Sequence, residues 1–89
     1  MATITFTRRF HEKRDEVRFP RLIALIDENL RLIASFPGVG SSLLPGYTRR
    51  SYGPDVLRVV AGTYSIIYEY DRSKDTVYVY DLLSSSELA

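Results

Sequence analysis

By type and spacing, Arg49, Arg50 and Arg58, interleaved with Tyr47 and Tyr52, are the residues of this 89-residue chain best suited to chemistry. An arginine offers parallel N–H donors that fit a phosphate or a carboxylate. A tyrosine can stack on a base or hand over a proton. A concave sheet face carrying these groups could grip RNA or a protein surface. The same arginines equally suit a loop and an edge strand that charge keeps soluble.

Other chemistries find little support. His11 is the only histidine and there is no cysteine, so disulfides and thiolate zinc sites are excluded and no metal or other cofactor is expected. GVG and LPG lack the strand–glycine–lysine context of a phosphate-binding loop. No serine lies in a G-x-S-x-G elbow, and a serine triad would have to recruit His11, which reads as solvent-exposed. The acids Glu69, Asp71, Asp75 and Asp81 cluster in sequence. Carboxylates are mostly exposed, so they are expected at a water-washed hairpin end.

These side chains need elements to position them. Ile4 and Phe6 alternate with threonines over 3–6, as in a half-buried strand. Thr7 is suited to cap a first helix running to about Arg18. Phe19-Pro20 breaks it, because the residue before proline is driven out of helical geometry. Leu22, Ile23, Ile26, Leu30 and Ile33 then form one apolar stripe of a second helix, with Asp27 and Arg31 paired four apart on the wet side. Pro37 and Gly38 stop it. Residues 38–53 hold four of the five glycines and read as loop, with a strand over Tyr47–Tyr52. Strands follow at 56–60, 64–70 and 77–83, the last two joined by the turn-rich DRSKDT. Those two carry apolar residues on both faces and so belong in the centre of the sheet.

The expected fold is therefore α+β: an N-terminal strand and a helical hairpin packed on a small antiparallel β-sheet, with the tyrosines at 64, 68 and 70 in the core and their hydroxyls at its rim. Residues 1–89 make one domain, and 84–89 end it as a frayed helical turn or a flexible tail. No run is apolar enough for a membrane span, MATITFTRRF lacks a signal-peptide core, and the absence of cysteine fits the cytoplasm. The net charge of +1 is unevenly spread: residues 36–62 hold three arginines against one acid, and residues 63–89 hold two basic side chains against five acids. A dedicated nucleic-acid binder usually carries a larger basic excess.

The chain resembles the RelE/ParE superfamily of bacterial toxins from type II toxin–antitoxin systems. RVVAGTYSIIYEYD (58–71) is similar to the family's arginine, glycine, then Tyr-Arg-Ile-x-Tyr strand, and TVYVYDLL is similar to its final strand. Pro37 and Gly40 match a Pro-x-x-Gly after the second helix. The resemblance implies that Arg58 is the arginine that holds the scissile phosphate in ribonuclease members, and that Tyr64 is the tyrosine opening the third strand. The arginine that usually follows is Ser65 here, and the basic or histidine-containing end of the last strand is SSSELA. Metal-free cleavage would need charge stabilisation of the phosphorane, which Arg58 with Arg49 or Arg50 could give, and a proton-transfer pair that is not evident. The departures favour a member of the ParE type, which binds and inhibits DNA gyrase. A ribosome-dependent mRNA endoribonuclease of the RelE type, centred on Arg58, is one alternative. A non-toxic interaction domain on the same fold is another. In the toxin readings the partner is a cognate antitoxin that folds on the toxin.

Overall fold

Thr7 closes the first strand and opens the first helix. Its Oγ1 accepts the Phe10 N–H at 3.1 Å, the capping bond expected of it, and its hydroxyl donates to the Tyr80 carbonyl at 2.6 Å. The computed structural model describes residues 1–88, in the order β1 (Thr3–Phe6), α1 (Arg8–Asp15), α2 (Pro20–Ser35), a 3-10 turn (Pro37–Val39), α3 (Gly46–Tyr52), β2 (Leu57–Ala61), β3 (Tyr64–Asp71), β4 (Thr76–Ser84) and α4 (Ser85–Leu88). Helix α1 ends at Asp15, three residues before the expected Arg18. Phe19 is extended and Pro20 takes the first turn of α2, as the sequence requires.

The four strands form one sheet in the order β1-β4-β3-β2. β2, β3 and β4 run antiparallel, and β1 adds to β4 in parallel. β3 and β4 are central, as their two apolar faces demand. Two layers cover the sheet. Ile26 and Ile33 of α2 and Phe10 of α1 pack with Ile66, Tyr68, Val77, Val79 and Leu82 on one face. On the other, Leu44, Val56, Tyr52 and Leu88 pack with Ile67, Tyr80 and Leu83.

Two expectations are corrected. Tyr47–Tyr52 is helix, not strand. Thr48 and Tyr52 lie one turn apart, so a helix buries Thr48 and brings Tyr52 onto the sheet together, and that packing outweighs the β preference of tyrosine. Asp27 pairs with Arg14 of α1 at 2.7 Å, a link across the helical hairpin, instead of with Arg31.

The Pro37-x-x-Gly40 segment has a clear physical basis. Tyr68 is fully buried, and its hydroxyl donates to the Pro37 carbonyl at 2.7 Å while accepting the Gly40 N–H at 2.9 Å. A Cβ on Gly40 would sit 2.6 Å from that hydroxyl and 2.9 Å from the Leu57 Cβ. This hydroxyl is therefore inside the fold and not at its rim. Its bonds fix where the chain leaves α2 and crosses to the other face of the sheet.

Candidate binding site

Alternation along β2 sorts its side chains. Leu57, Val59 and Ala61 pack toward α2, which leaves Arg58 and Val60 facing the other side. There Arg58 stands between two shallow hollows of about 320 and 390 Å³. The first is lined by Val60, Tyr64, Ser65, Ser85 and Leu88, the second by Ser42, Leu43, Leu44 and Arg49, and Pro45 and Arg58 border both. Among the described residues no acidic side chain lines either hollow. Among the described residues the Arg58 guanidinium makes no ion pair. Arg49 is braced by a 2.7 Å bond from Nη2 to the Ser42 carbonyl.

Of the six residues singled out from sequence, the structure thus brings Arg49, Arg58 and Tyr64 to one groove. Arg50 does not line it; its guanidinium lies 3.3 Å from where a Cβ on Gly46 would be, at the start of α3. Tyr47 and Tyr52 are fastenings of α3. The Tyr47 hydroxyl donates to the Glu87 carbonyl at 3.1 Å and also to that of Leu88, which holds α4 down. Tyr52 stacks on Tyr80 with ring centroids 6.1 Å apart, and its hydroxyl donates to Asp81.

Asp81 is the residue that sequence reasoning misplaced. It is not at a solvated hairpin end: it is 0% exposed. Its carboxylate accepts from Arg9 Nε at 2.7 Å, from the Leu82 N–H at 2.8 Å and from Tyr52, and Lys13 Nζ lies 3.9 Å away. A buried charge costs several kcal/mol unless it is paired and hydrogen-bonded, and here both conditions hold. Desolvation and then the bond to Asp81 push the Tyr52 phenol up to about 12. Glu87 of α4 is held by Lys13 at 2.5 Å, which together with the Ser84 N–H brings its carboxyl down to about 2.

Neither group is suited to proton transfer near neutrality. His11 packs beside Phe6, ring centroids 5.4 Å apart, on the β1 side of the sheet, while Arg58 is on β2 at the opposite edge. The groove therefore offers positive charge, hydroxyls and apolar surface, with no imidazole. No group of three or more metal-ligating side chains is gathered among the described residues.

A family model, ParE toxin of type II toxin–antitoxin systems, matches residues 4–89. The chain belongs to this toxin family. Its fold is that of the RelE/ParE superfamily. It is similar to the toxin of the intact Escherichia coli RelBE toxin–antitoxin complex, with a TM-score of 0.74 at 15% identity, over 94% of this chain and 96% of that one. It is equally similar to the RelBE2 toxin–antitoxin complex of Mycobacterium tuberculosis, with a TM-score of 0.74 at 21% identity over 93% and 96% of the two chains. A mutant Escherichia coli RelE bound to an antitoxin RelB peptide gives 0.70 at 16% identity over 96% and 87%. No curated protein matches by sequence. In this ParE-family toxin no helix among the described residues is long and apolar enough to cross a membrane.

Proposed function

We propose that this toxin acts in the cytoplasm by binding DNA gyrase and inhibiting it without covalent chemistry, and that a cognate antitoxin neutralises it. The observation that carries the reading is the make-up of the Arg58 groove. Arg49 and Arg58 supply charge and Tyr64 a hydroxyl, while Ser65 and Ser85 occupy the wall and no side chain there is fit to be general acid and base together. Such a surface binds; it does not readily cleave. That structurally similar toxins are solved with antitoxins supports the antitoxin partner.

Gyrase supercoiling with the purified protein is the test. Inhibition at micromolar toxin is expected, reversed by the antitoxin encoded beside it, and undiminished supercoiling would overturn the reading. One observation favours a second reading, ribosome-dependent mRNA cleavage: Arg58 lines the groove beside Tyr64 and, among the described residues, makes no ion pair. Primer extension after induced expression separates the two, because new cuts within translated codons that Arg58→Ala abolishes belong only to a ribonuclease. Normal growth during verified soluble expression would leave a non-toxic interaction domain.

A further inference from the structure

We propose that Ser42 is a phosphorylation site, and that Arg49 and Arg58 capture its phosphate in the hollow they share and so switch the groove off. The inference rests on the gyrase-binding reading for its consequence, not for the site. Ser42, Arg49 and Arg58 all line the hollow of about 390 Å³, and no acid joins them there among the described residues. Arg49 Nη2 already donates to the Ser42 carbonyl at 2.7 Å, so a phosphate on the same residue lies within reach of that guanidinium. Arg58 is placed from the other side. Ser41 and Arg58 exchange N–H···O bonds of 2.9 Å each way, a pairing that sets their Cα atoms about 5.5 Å apart, and Ser42 is the next residue. Neither arginine makes an ion pair among the described residues.

Access and bonding single out Ser42 among the serines of the groove. It is exposed and opens the irregular segment 42–45, between the Ser41 bridge and α3. Its hydroxyl has no hydrogen-bond partner among the described residues. The Ser41 hydroxyl, by contrast, accepts the Leu43 N–H at 3.1 Å, the Ser85 hydroxyl donates to the Thr63 carbonyl at 3.0 Å, and Ser65 is buried. With so few bonds to break, residues 42–44 can be drawn out as extended chain into the cleft of a serine kinase. There the Ser42 Oγ attacks the γ-phosphorus of a nucleoside triphosphate. The Oγ–P bond forms, the bond to the nucleoside diphosphate breaks, and the hydroxyl proton passes to the kinase's base. The product carries a charge of about −1.5 to −2 at neutral pH and three acceptor oxygens, which suit two guanidiniums. Once captured, it offsets the positive charge that the groove presents to gyrase and occupies the hollow.

The test uses the full chain with phosphoserine in place of Ser42, titrated by phosphorus NMR. The second ionisation of an unpaired phosphoserine falls at about pH 6. Capture should lower that midpoint by about one pH unit, a roughly tenfold preference for the dianion, and the side-chain N–H signals of Arg49 and Arg58 should move with it. In the Arg49→Gln, Arg58→Gln double variant the midpoint should return to that of a blocked serine–phosphoserine–leucine peptide. An unshifted midpoint in the parent, or a shift that survives in the double variant, overturns the capture. Phosphopeptide mass spectrometry of the toxin recovered from growing and from starved host cells should find phosphate on Ser42. Phosphate on other serines alone, or none, overturns the modification. In the supercoiling assay the phosphorylated chain should need about tenfold more protein for equal inhibition, and equal potency overturns the switch. If neither form inhibits gyrase while the midpoint is lowered and the phosphate is found, the gyrase reading falls and the Ser42 site stands.

Discussion

The Tyr52 hydroxyl donates to the Asp81 carboxylate, which ties the short helix α3 to a fully buried acid on β4. Arg9 reaches the same carboxylate from α1, so one residue joins three elements. Because α3 also carries Arg49, the shape of the groove depends on this junction. Tyr52→Phe should cost about 1–2 kcal/mol, since it withdraws one bond from a buried charge. Asp81→Ala should cost more, about 3 kcal/mol, because it removes the acceptor of every partner at once; the exposed part of Arg9 remains hydrated and limits the loss. Chemical denaturation of both single variants and the double variant checks this. Strictly additive losses would mean that the two residues do not act together.

Alkaline titration tests the same junction in another way. Tyr52 ionises near 12 in the fold against about 10 when unfolded, so the fold favours its neutral form. That contribution is complete below about pH 10 and is lost as the pH rises toward 12. Among the seven tyrosines, the phenolate signal missing from Tyr52→Phe should therefore belong to the last part of the absorbance titration. A missing signal in the ordinary tyrosine range would contradict the hydrogen bond to Asp81.

The sequence made the element order apart from α3, the central place of β3 and β4, the Thr7 cap and the α2 stripe legible, because each follows from local periodicity or a single cap. It could not reveal Asp81. Strict alternation puts Asp81 on the same face as Val77 and Val79. A register shift instead sets Ile67 opposite Asp81 and Tyr68 opposite Val79, with Tyr80 as the extra residue. Nothing in TVYVYDLL announces that bulge. α3 was hidden for a related reason: its helical state is decided by Thr48 and Tyr52 meeting the sheet, not by local propensity. In the groove, Arg49 and Arg58 stood out by residue type, and Tyr64 through the family resemblance. Tyr47 and Arg50 have the right residue types, but the helix directs them elsewhere.

Gly40→Ala should destabilise the fold by about 1–3 kcal/mol, as overpacking does. The new methyl would lie 2.6 Å from the Tyr68 hydroxyl, 2.9 Å from a Tyr68 ring carbon and 2.9 Å from the Leu57 Cβ. Tyr68→Phe removes the nearest of these atoms but also its bonds to Pro37 and Gly40. The alanine should therefore cost less in the Tyr68→Phe background than in the parent. Thermal unfolding of the four proteins measures that coupling, and an equal cost in both backgrounds would place the strain elsewhere.

Thr48→Val should stabilise the protein by about 1 kcal/mol. Thr48 is 1% exposed, and among the described residues its hydroxyl oxygen has no hydrogen-bond partner. A buried hydroxyl without a partner carries its desolvation cost uncompensated. Valine keeps nearly the same shape and has a similar helix propensity, so the change removes the cost and little else. A lower denaturation midpoint in Thr48→Val would mean that the hydroxyl is satisfied by ordered water.

The docking of α4 should weaken in acid before the sheet does. Glu87 titrates near 2 in the fold against a reference of 4.5, first because of Lys13 and then because of the Ser84 N–H. A depressed carboxyl stabilises the fold fully above about pH 4.5, and that contribution is lost as the pH falls toward 2. Releasing Glu87 also loosens Leu88, which is 9% exposed, and the carbonyls that accept from Tyr47. The side chain of Glu87 is 42% exposed, so salt should screen part of the effect. Following the Glu87 carboxyl carbon and the Leu88 methyls by NMR from neutral pH downward should show one shared transition. Glu87→Gln should remove the pH dependence of the Leu88 signals and leave Lys13 near Asp81. Lys13→Gln should raise the midpoint instead, because the Ser84 N–H alone still favours the carboxylate. If the Leu88 signals move with the sheet residues in all three proteins, α4 and the sheet unfold as one unit and the Lys13–Glu87 pair does not control its docking.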